Sequence, residues 1–258
     1  MKRSMALGAA VLALGAGGAG LVQKAAAGGA AATRQTQGGL SVSPAVIEVQ
    51  NAHTGALATM TVANRSPEPL SVTVTPRPWL QAVTGKVSPN RGKALAGVTV
   101  SEGSFTLASG AEKQVVANLN ALPAGGALYG AMEIVGLPTD VAKRKGLVLG
   151  YRVVGAVRLL PALPKSALTA KSIKASKGTA VLPVKNTGNT IDAVTGSVSV
   201  KTAAGTKNLT VQAVKILPGG TVNIPLGTKL IKGTATAKVT LNQRGKRALQ
   251  LTKKFRVK

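Results

Sequence analysis

Most of the chain alternates. In "LSVSPAVIEV" (40–49), "ALATMTVAN" (56–64) and "LSVTVTP" (70–76) an apolar side chain recurs at every second residue. That is the period at which a strand turns one face to a core and the other to solvent. "GVTVS" (97–101), "KQVVANL" (113–119) and "ALYGAMEIV" (127–135) follow the same rule, and so does "GLVLGYRVVGAVRLLP" (146–161). Between them stand "RSPEP", "TGK", "SPNRG", "ASGAE" and "PAGG", whose Gly, Pro, Ser and Asn residues make turns. Seven short strands at this spacing predict a β-sandwich. In the last of them, odd positions (Leu147, Leu149, Tyr151, Val153, Val157, Leu159) form an apolar row predicted to face the core, and even positions carry Val148, Arg152, Val154 and Arg158.

"LLPALPKSA" then interrupts the pattern, since closely spaced prolines cannot continue a ladder. Residues 162–167 read as a hinge. Beyond it the theme returns in "LTAKSIKA", "GTAVLPVK", "GSVSVKT", "KNLTVQAV", "TVNIPL", "TATAKVTL" and "ALQLTKKFRV". Two local echoes join the halves. "VANRSPEPLSVTV" resembles "VKNTGNTIDAVTGSVSV", a strand ending in Asn, a turn, then a Thr/Val/Ser strand. "LASGAEKQVV" resembles "ILPGGTVNI", a Gly turn leading into a strand. The predicted architecture is all-β: two tandem immunoglobulin-like sandwiches, 40–161 and 168–258.

The first residues do not alternate. "MKR", a Gly/Ala/Leu-rich apolar run and then "KAAAGGAAAT" have the layout of a secretory signal peptide (1–32), with cleavage after Ala27 or Ala32 and a leader over 33–39. No second apolar run reaches membrane-spanning length, so no span is expected in the mature chain. A bacterial extracytoplasmic location, secreted or wall-associated, follows. The chain has no cysteine, which excludes disulfides, thiolate zinc sites and cysteine nucleophiles.

Charge changes the picture further. Thirty-three Lys and Arg face seven Asp and Glu, a net +26. From Ala162 onward 18 basic residues face one acid, Asp192; residues 33–161 hold 12 against six. So strong a cationic field attracts polyanions. Lys171, Lys174, Lys177, Lys253 and Lys254 are the candidate contacts, and an anionic wall polymer is the candidate ligand. Only five aromatic residues are present, too few to stack single-stranded bases, so no specific nucleic-acid partner is expected.

Catalytic chemistry has little to work with. One histidine, His53, stands in the turn-like "QNAHTG", which gives no triad. The seven acids are scattered without the pairing that glycoside hydrolysis needs or the clustering that metal sites need. The glycines of "GALYGAMEIVG" and "LPGG" precede no phosphate-loop lysine. No catalytic, cofactor or metal residue is assigned, and an enzyme is not expected.

The pieces of the first half, in order, resemble the amino-terminal domain of the periplasmic pilus-chaperone superfamily, the PapD-like immunoglobulin fold. The resemblance covers 40–161. It rests on "LSVSPAVIEV", "ATMTVANRSPEPLSVTVTPRPWLQ" with Asn64 and Trp79, "FTLASGAEKQVV", "LYGAMEIVGLP" and "LGYRVVGAVRLLP". A second sandwich after it is similar also to Gram-positive secreted two-sandwich proteins. The resemblance implies an exported chaperone-like or adaptor module that binds an envelope or surface protein by strand addition. Val148, Arg152, Val154 and Arg158 are its candidate contacts. It also implies two basic residues anchoring a partner's terminal carboxylate. The matching places, Ser43–Ile47 and "VVGAV", hold no Lys or Arg. The alternative is a wall protein that binds polyanions through the basic second half.

Overall fold

The computed structural model describes residues 38–258. The predicted signal peptide and nearly all of the leader therefore lie outside the described residues. Ten strands build the first sandwich: β1 (Leu40–Ser43), β2 (Val46–Gln50), β3 (Gly55–Asn64), β4 (Leu70–Gln81), β5 (Val87–Pro89), β6 (Val98–Val100), β7 (Ser104–Leu107), β8 (Glu112–Leu119), β9 (Leu128–Pro138) and β10 (Tyr151–Leu160). One sheet runs β1-β3-β8-β6; the other runs β2-β10-β9-β4-β5, with β7 also on β4. Met60, Leu70, Met132, Ile134 and their aliphatic neighbours fill the space between.

The second sandwich follows residues 161–167 with β11 (Leu168–Ala170), β12 (Lys174–Ser176), β13 (Thr179–Asn186), β14 (Val194–Thr202), β15 (Gly205–Val214), β16 (Thr221–Gly227), β17 (Gly233–Gln243) and β18 (Lys246–Val257). One sheet joins β11, β12, β13 and β16; the other runs β15-β14-β17-β18. Leu182, Ile216, Ile224, Leu226 and Leu241 are fully buried between them. The fold is all-β, two immunoglobulin-like sandwiches in tandem. No helix among the described residues is long and apolar enough to cross a membrane.

Pairing repeats from one sandwich to the next. β3 lies between β1 and β8 as β13 lies between β11 and β16; β4 lies between β7 and β9 as β14 lies between β15 and β17. The two sequence echoes meet in each copy. Asn64, at the end of β3, is fully buried and donates from Nδ2 to the carbonyls of Glu68, Leu107 and Ala108. Its backbone exchanges bonds with Gly110 and Ala111. Asn186, at the end of β13, donates to the carbonyls of Thr190 and Ile216, and its backbone bonds Gly219 and Gly220. A strand-end asparagine thus staples the Gly turn of the neighbouring connection, and it satisfies carbonyls that burial would otherwise leave unpaired.

Four predicted strands differ from those observed; one of them, "LTAKSIKA", is two short strands, β11 and β12, both paired with β13. The stretch 40–49 is two strands: the chain leaves one sheet at Ser43 and joins the other at Val46, pairing first with β3 and then with β10. β4 runs on past residue 76 to Gln81, through Pro76 and Pro78. Its outer side accepts bonds there, from Leu95 and Asn90 to the two proline carbonyls, so the missing N–H groups fall on a side that needs none. The last difference, in β10, shapes the site below.

Candidate partner-binding edge and inter-sandwich cleft

β10 begins at Tyr151, five residues later than the alternation predicts. Leu147 is fully exposed and Leu149 is 67% exposed, so the core row starts at Tyr151 instead. The inner face then holds: Tyr151 and Val153 are half-buried, and Val157 and Leu159 are buried. Gly39 lies under the Tyr151 ring so closely that a Cβ there would stand 1.9 Å from it.

The two edges of β10 are occupied unequally. β9 covers one edge antiparallel, from Tyr151 to Leu159. β2 covers the other, parallel, only from Ala156 to Leu160. Ala156 N–H donates to the Ala45 carbonyl at 2.9 Å, so the even residues of β10 direct their backbone groups to this side. Arg152 and Val154 do so where no strand covers them. The stretch from Leu147 to Gly155 therefore offers a backbone edge beside Leu147, Leu149 and Val154, all exposed. Of the four candidate contacts, Arg152 and Val154 lie on the open edge, Val148 lies in the segment that leads to it, and Arg158 lies where β2 already pairs. Arg158 Nη1 bonds Glu48 at 3.2 Å.

Arg152 also belongs to a cluster that no local pattern announces. Glu133 on β9 is 4% exposed. Arg152 Nε donates to its Oε1 at 2.6 Å and Arg91 Nε at 2.9 Å, while Arg77 Nε stands 3.5 Å from Oε2. Burial opposes ionisation of this carboxyl. The hydrogen bonds from Arg152 and Arg91 outweigh it and hold the group below the usual carboxylate range. The four residues come from β4, a loop, β9 and β10, so only the register of the sheet brings them together.

On the same face of this sheet, Trp79, Tyr129 and Arg158 look into a cleft against the second sandwich. A cavity of about 450 Å³ there is lined by Glu48, Arg158, Asp192, Lys215 and Arg244 among others. Asp192 is held below the usual carboxylate range by the Thr190 hydroxyl, with burial opposing and Arg244 assisting. The walls are clasped by Gln81: its Oε1 accepts from Leu217 N–H at 2.9 Å, and its Nε2 donates to the Lys215 carbonyl at 2.8 Å. Tyr129 Oη donates to the Asn189 carbonyl at 3.0 Å, and Asn223 N–H donates to the Val83 carbonyl at 2.8 Å. Among the described residues no three His, Cys, Asp or Glu side chains gather as a metal site would need.

The five candidate polyanion contacts are spread over more than one sheet face. Alternation sends Lys253 and Lys254 to opposite faces of β18, and Lys253 Nζ folds over to the Lys171 carbonyl at 3.2 Å. Lys174 and Lys177 lie on β12 and its turn, and Lys254 stands across from Thr236 on the outer face of the other sheet. All seven acids are engaged in ion pairs, Asp192 with Arg244. The remaining lysines therefore stay uncompensated.

No protein-family model matches the chain, and no curated protein matches it. Solved structures do. A chain from the study of a chaperone–tip adhesin complex in CFA/I fimbriae biogenesis matches at 14% identity and TM-score 0.51, over 84% of this chain and 98% of that one. The class 5 fimbriae chaperone CfaA matches at 15% identity and TM-score 0.50, over 83% and 98%. At this identity the likeness shows the fold, the two-sandwich, PapD-like architecture. It runs to fimbrial chaperones, where the sequence pointed also to Gram-positive secreted proteins.

Proposed function

We propose that this chain is a non-catalytic, extracytoplasmic chaperone-like or adaptor module that captures an extended segment of a partner protein on the open edge of β10. One observation carries the reading: β2 pairs with β10 only from Ala156 onward, so the backbone groups of Arg152 and Val154 face outward beside exposed Leu147, Leu149 and Val154. A guest strand laid there gains ladder bonds from the edge and apolar contact from the row, the two parts of β-augmentation. Long, unprotected apolar edges invite aggregation, and a soluble protein keeps one when it serves a partner. The fimbrial chaperones of like fold support the reading by analogy of architecture. The match stops short of their carboxylate anchor, since Ser43–Ile47 and residues 153–157 hold no cation at the matching places.

The test uses a photoreactive residue at position 149 on intact producing cells, with position 124 as the control site. Site 149 should join a defined envelope protein that site 124 does not. Val154→Pro should abolish the crosslink, because the ring removes an outward N–H while leaving the ladder to β9 in place. Equal crosslinking from both sites, or capture unchanged by Val154→Pro in a folded chain, contradicts the reading.

A further inference from the structure

The far end of the second sandwich shows a different surface. β14 ends there, β17 begins there, and β13 and β16 turn there, so three connections share one pole: residues 177–178, 203–204 and 228–232. Leu230 N–H donates to the Gly178 carbonyl at 2.8 Å, which ties the first of these to the third. Lys207 Nζ reaches the Thr228 carbonyl at 3.5 Å from the second. Around them stand Lys177, Lys201, Lys207, Lys229, Lys232 and Lys254, all exposed. Lys201 and Lys254 flank Thr236 in one cross-strand row, about 10 Å apart at the ordinary strand spacing. The single acid of this sandwich, Asp192, is at the opposite, hinge end, paired with Arg244.

Two features set this pole apart from a merely solvated end. Lys177 and Lys229 hold left-handed backbone conformations, with φ of 47° and 52°. Gly or Asn fits such turn positions at less conformational cost, so lysine stands there against local preference. At the tip of the third connection, between Lys229 and Lys232, Leu230 is tucked into the core while Ile231 is 54% exposed. Ile231 is the most exposed large apolar residue of the second sandwich. A hydrated polyanion has no use for such a side chain. A bilayer surface does: lysines meet the phosphate layer while one apolar residue reaches the acyl boundary.

We infer that this pole is a peripheral docking site for an anionic phospholipid surface, with Lys177, Lys229 and Lys232 on the headgroup phosphates and Ile231 inserted. This site is separate from the β10 edge and does not depend on its reading. Each lysine near such a surface contributes about fivefold in affinity, so removing three should cost roughly a hundredfold.

The absence of native cysteine allows a clean probe on the full chain. Ile231→Cys carries an environment-sensitive fluorophore, Ala124→Cys carries the same label as the control, and both meet vesicles of phosphatidylglycerol and phosphatidylcholine or of phosphatidylcholine alone. The label at 231 should shift to the blue on the anionic vesicles only, and the label at 124 should not move. Raising salt from about 0.1 M to about 0.5 M should reverse the shift. The triple change Lys177→Gln, Lys229→Gln and Lys232→Gln should weaken the titration about a hundredfold. Removing the same charge from the first sandwich (Lys86→Gln, Lys93→Gln, Lys145→Gln) should weaken it less than about threefold, because those sites lie beyond the screening length. Equal losses from both triples would reduce the effect to bulk charge and overturn the site. So would no shift at 231 on anionic vesicles. Complete displacement by a soluble phosphodiester wall polymer, with the label remaining water-exposed throughout, would replace the bilayer with a polymer and equally overturn it.

Discussion

Glu133→Gln is the substitution that most sharply tests the physics of the β10 edge. In the wild type one nearly buried carboxylate faces three arginines. Gln keeps the shape and removes the charge. Stranding buried cations costs about 3–5 kcal/mol where they cannot reach water. Arg91 and Arg152 are 63% and 42% exposed and can swing outward, whereas Arg77 is 24% exposed, with its Nε buried and lacking a hydrogen-bond partner among the described residues. Only one of the three is truly stranded, so the expected loss is about 2–3 kcal/mol, within the usual range for breaking such a network. Arg91→Ala, by contrast, should cost less than about 1 kcal/mol, since its pair is mostly in water. The assay is urea unfolding followed by tryptophan fluorescence, because Trp79, the only Trp in the chain, lies on the same sheet. The sign of the pH dependence follows from the depressed carboxyl. Its stabilisation is fully present above the unfolded value of about 4.3 and disappears as pH falls through the lower folded value. The gap between wild type and Glu133→Gln should therefore be widest near neutral pH and close in acid. A gap below about 0.5 kcal/mol at neutral pH, or one that does not narrow as pH falls below the unfolded value, would refute the reasoning.

Other outcomes follow from single contacts. Gly155→Ala would place a Cβ 2.8 Å from the Ala45 carbonyl oxygen, so the crossing from β1 to β2 must move, at about 1–3 kcal/mol in thermal unfolding. Asn186→Ala leaves the Thr190 and Ile216 carbonyls without their Nδ2 donor, while the Gly188 N–H keeps the Ala167 carbonyl; it should lower the stability of the second sandwich by about 2–4 kcal/mol in urea. Gln81→Ala opens the clasp to Lys215 and Leu217; limited proteolysis across residues 161–167 should quicken several-fold while circular dichroism is unchanged.

What the sequence made legible is what local alternation controls. The valine and threonine runs mark nearly every long strand, and the two echoes flagged Asn64 and Asn186 before their shared role was visible. Four things escaped. "LSVSPAVIEV" alternates without a break, so nothing local shows that its halves join different sheets. Leu147 and Leu149 keep the period of β10, yet they precede its first ladder partner, Gly136, and point to solvent. The Glu133 cluster joins residues from four separate segments, and charge spacing along the chain gives no hint of it. The lysine pole escaped for the same reason: its members are scattered over residues 177–254 and meet only because the strands turn at one end.

Amide hydrogen exchange along β10 addresses the central claim most directly. In the free chain, the Arg152 and Val154 amides should exchange rapidly while those of Val153 and Gly155, turned toward β9, are protected; when the crosslinked partner is bound, Arg152 and Val154 should become protected as well. Protection of Arg152 and Val154 in the free chain, or none gained in the complex, would contradict the account.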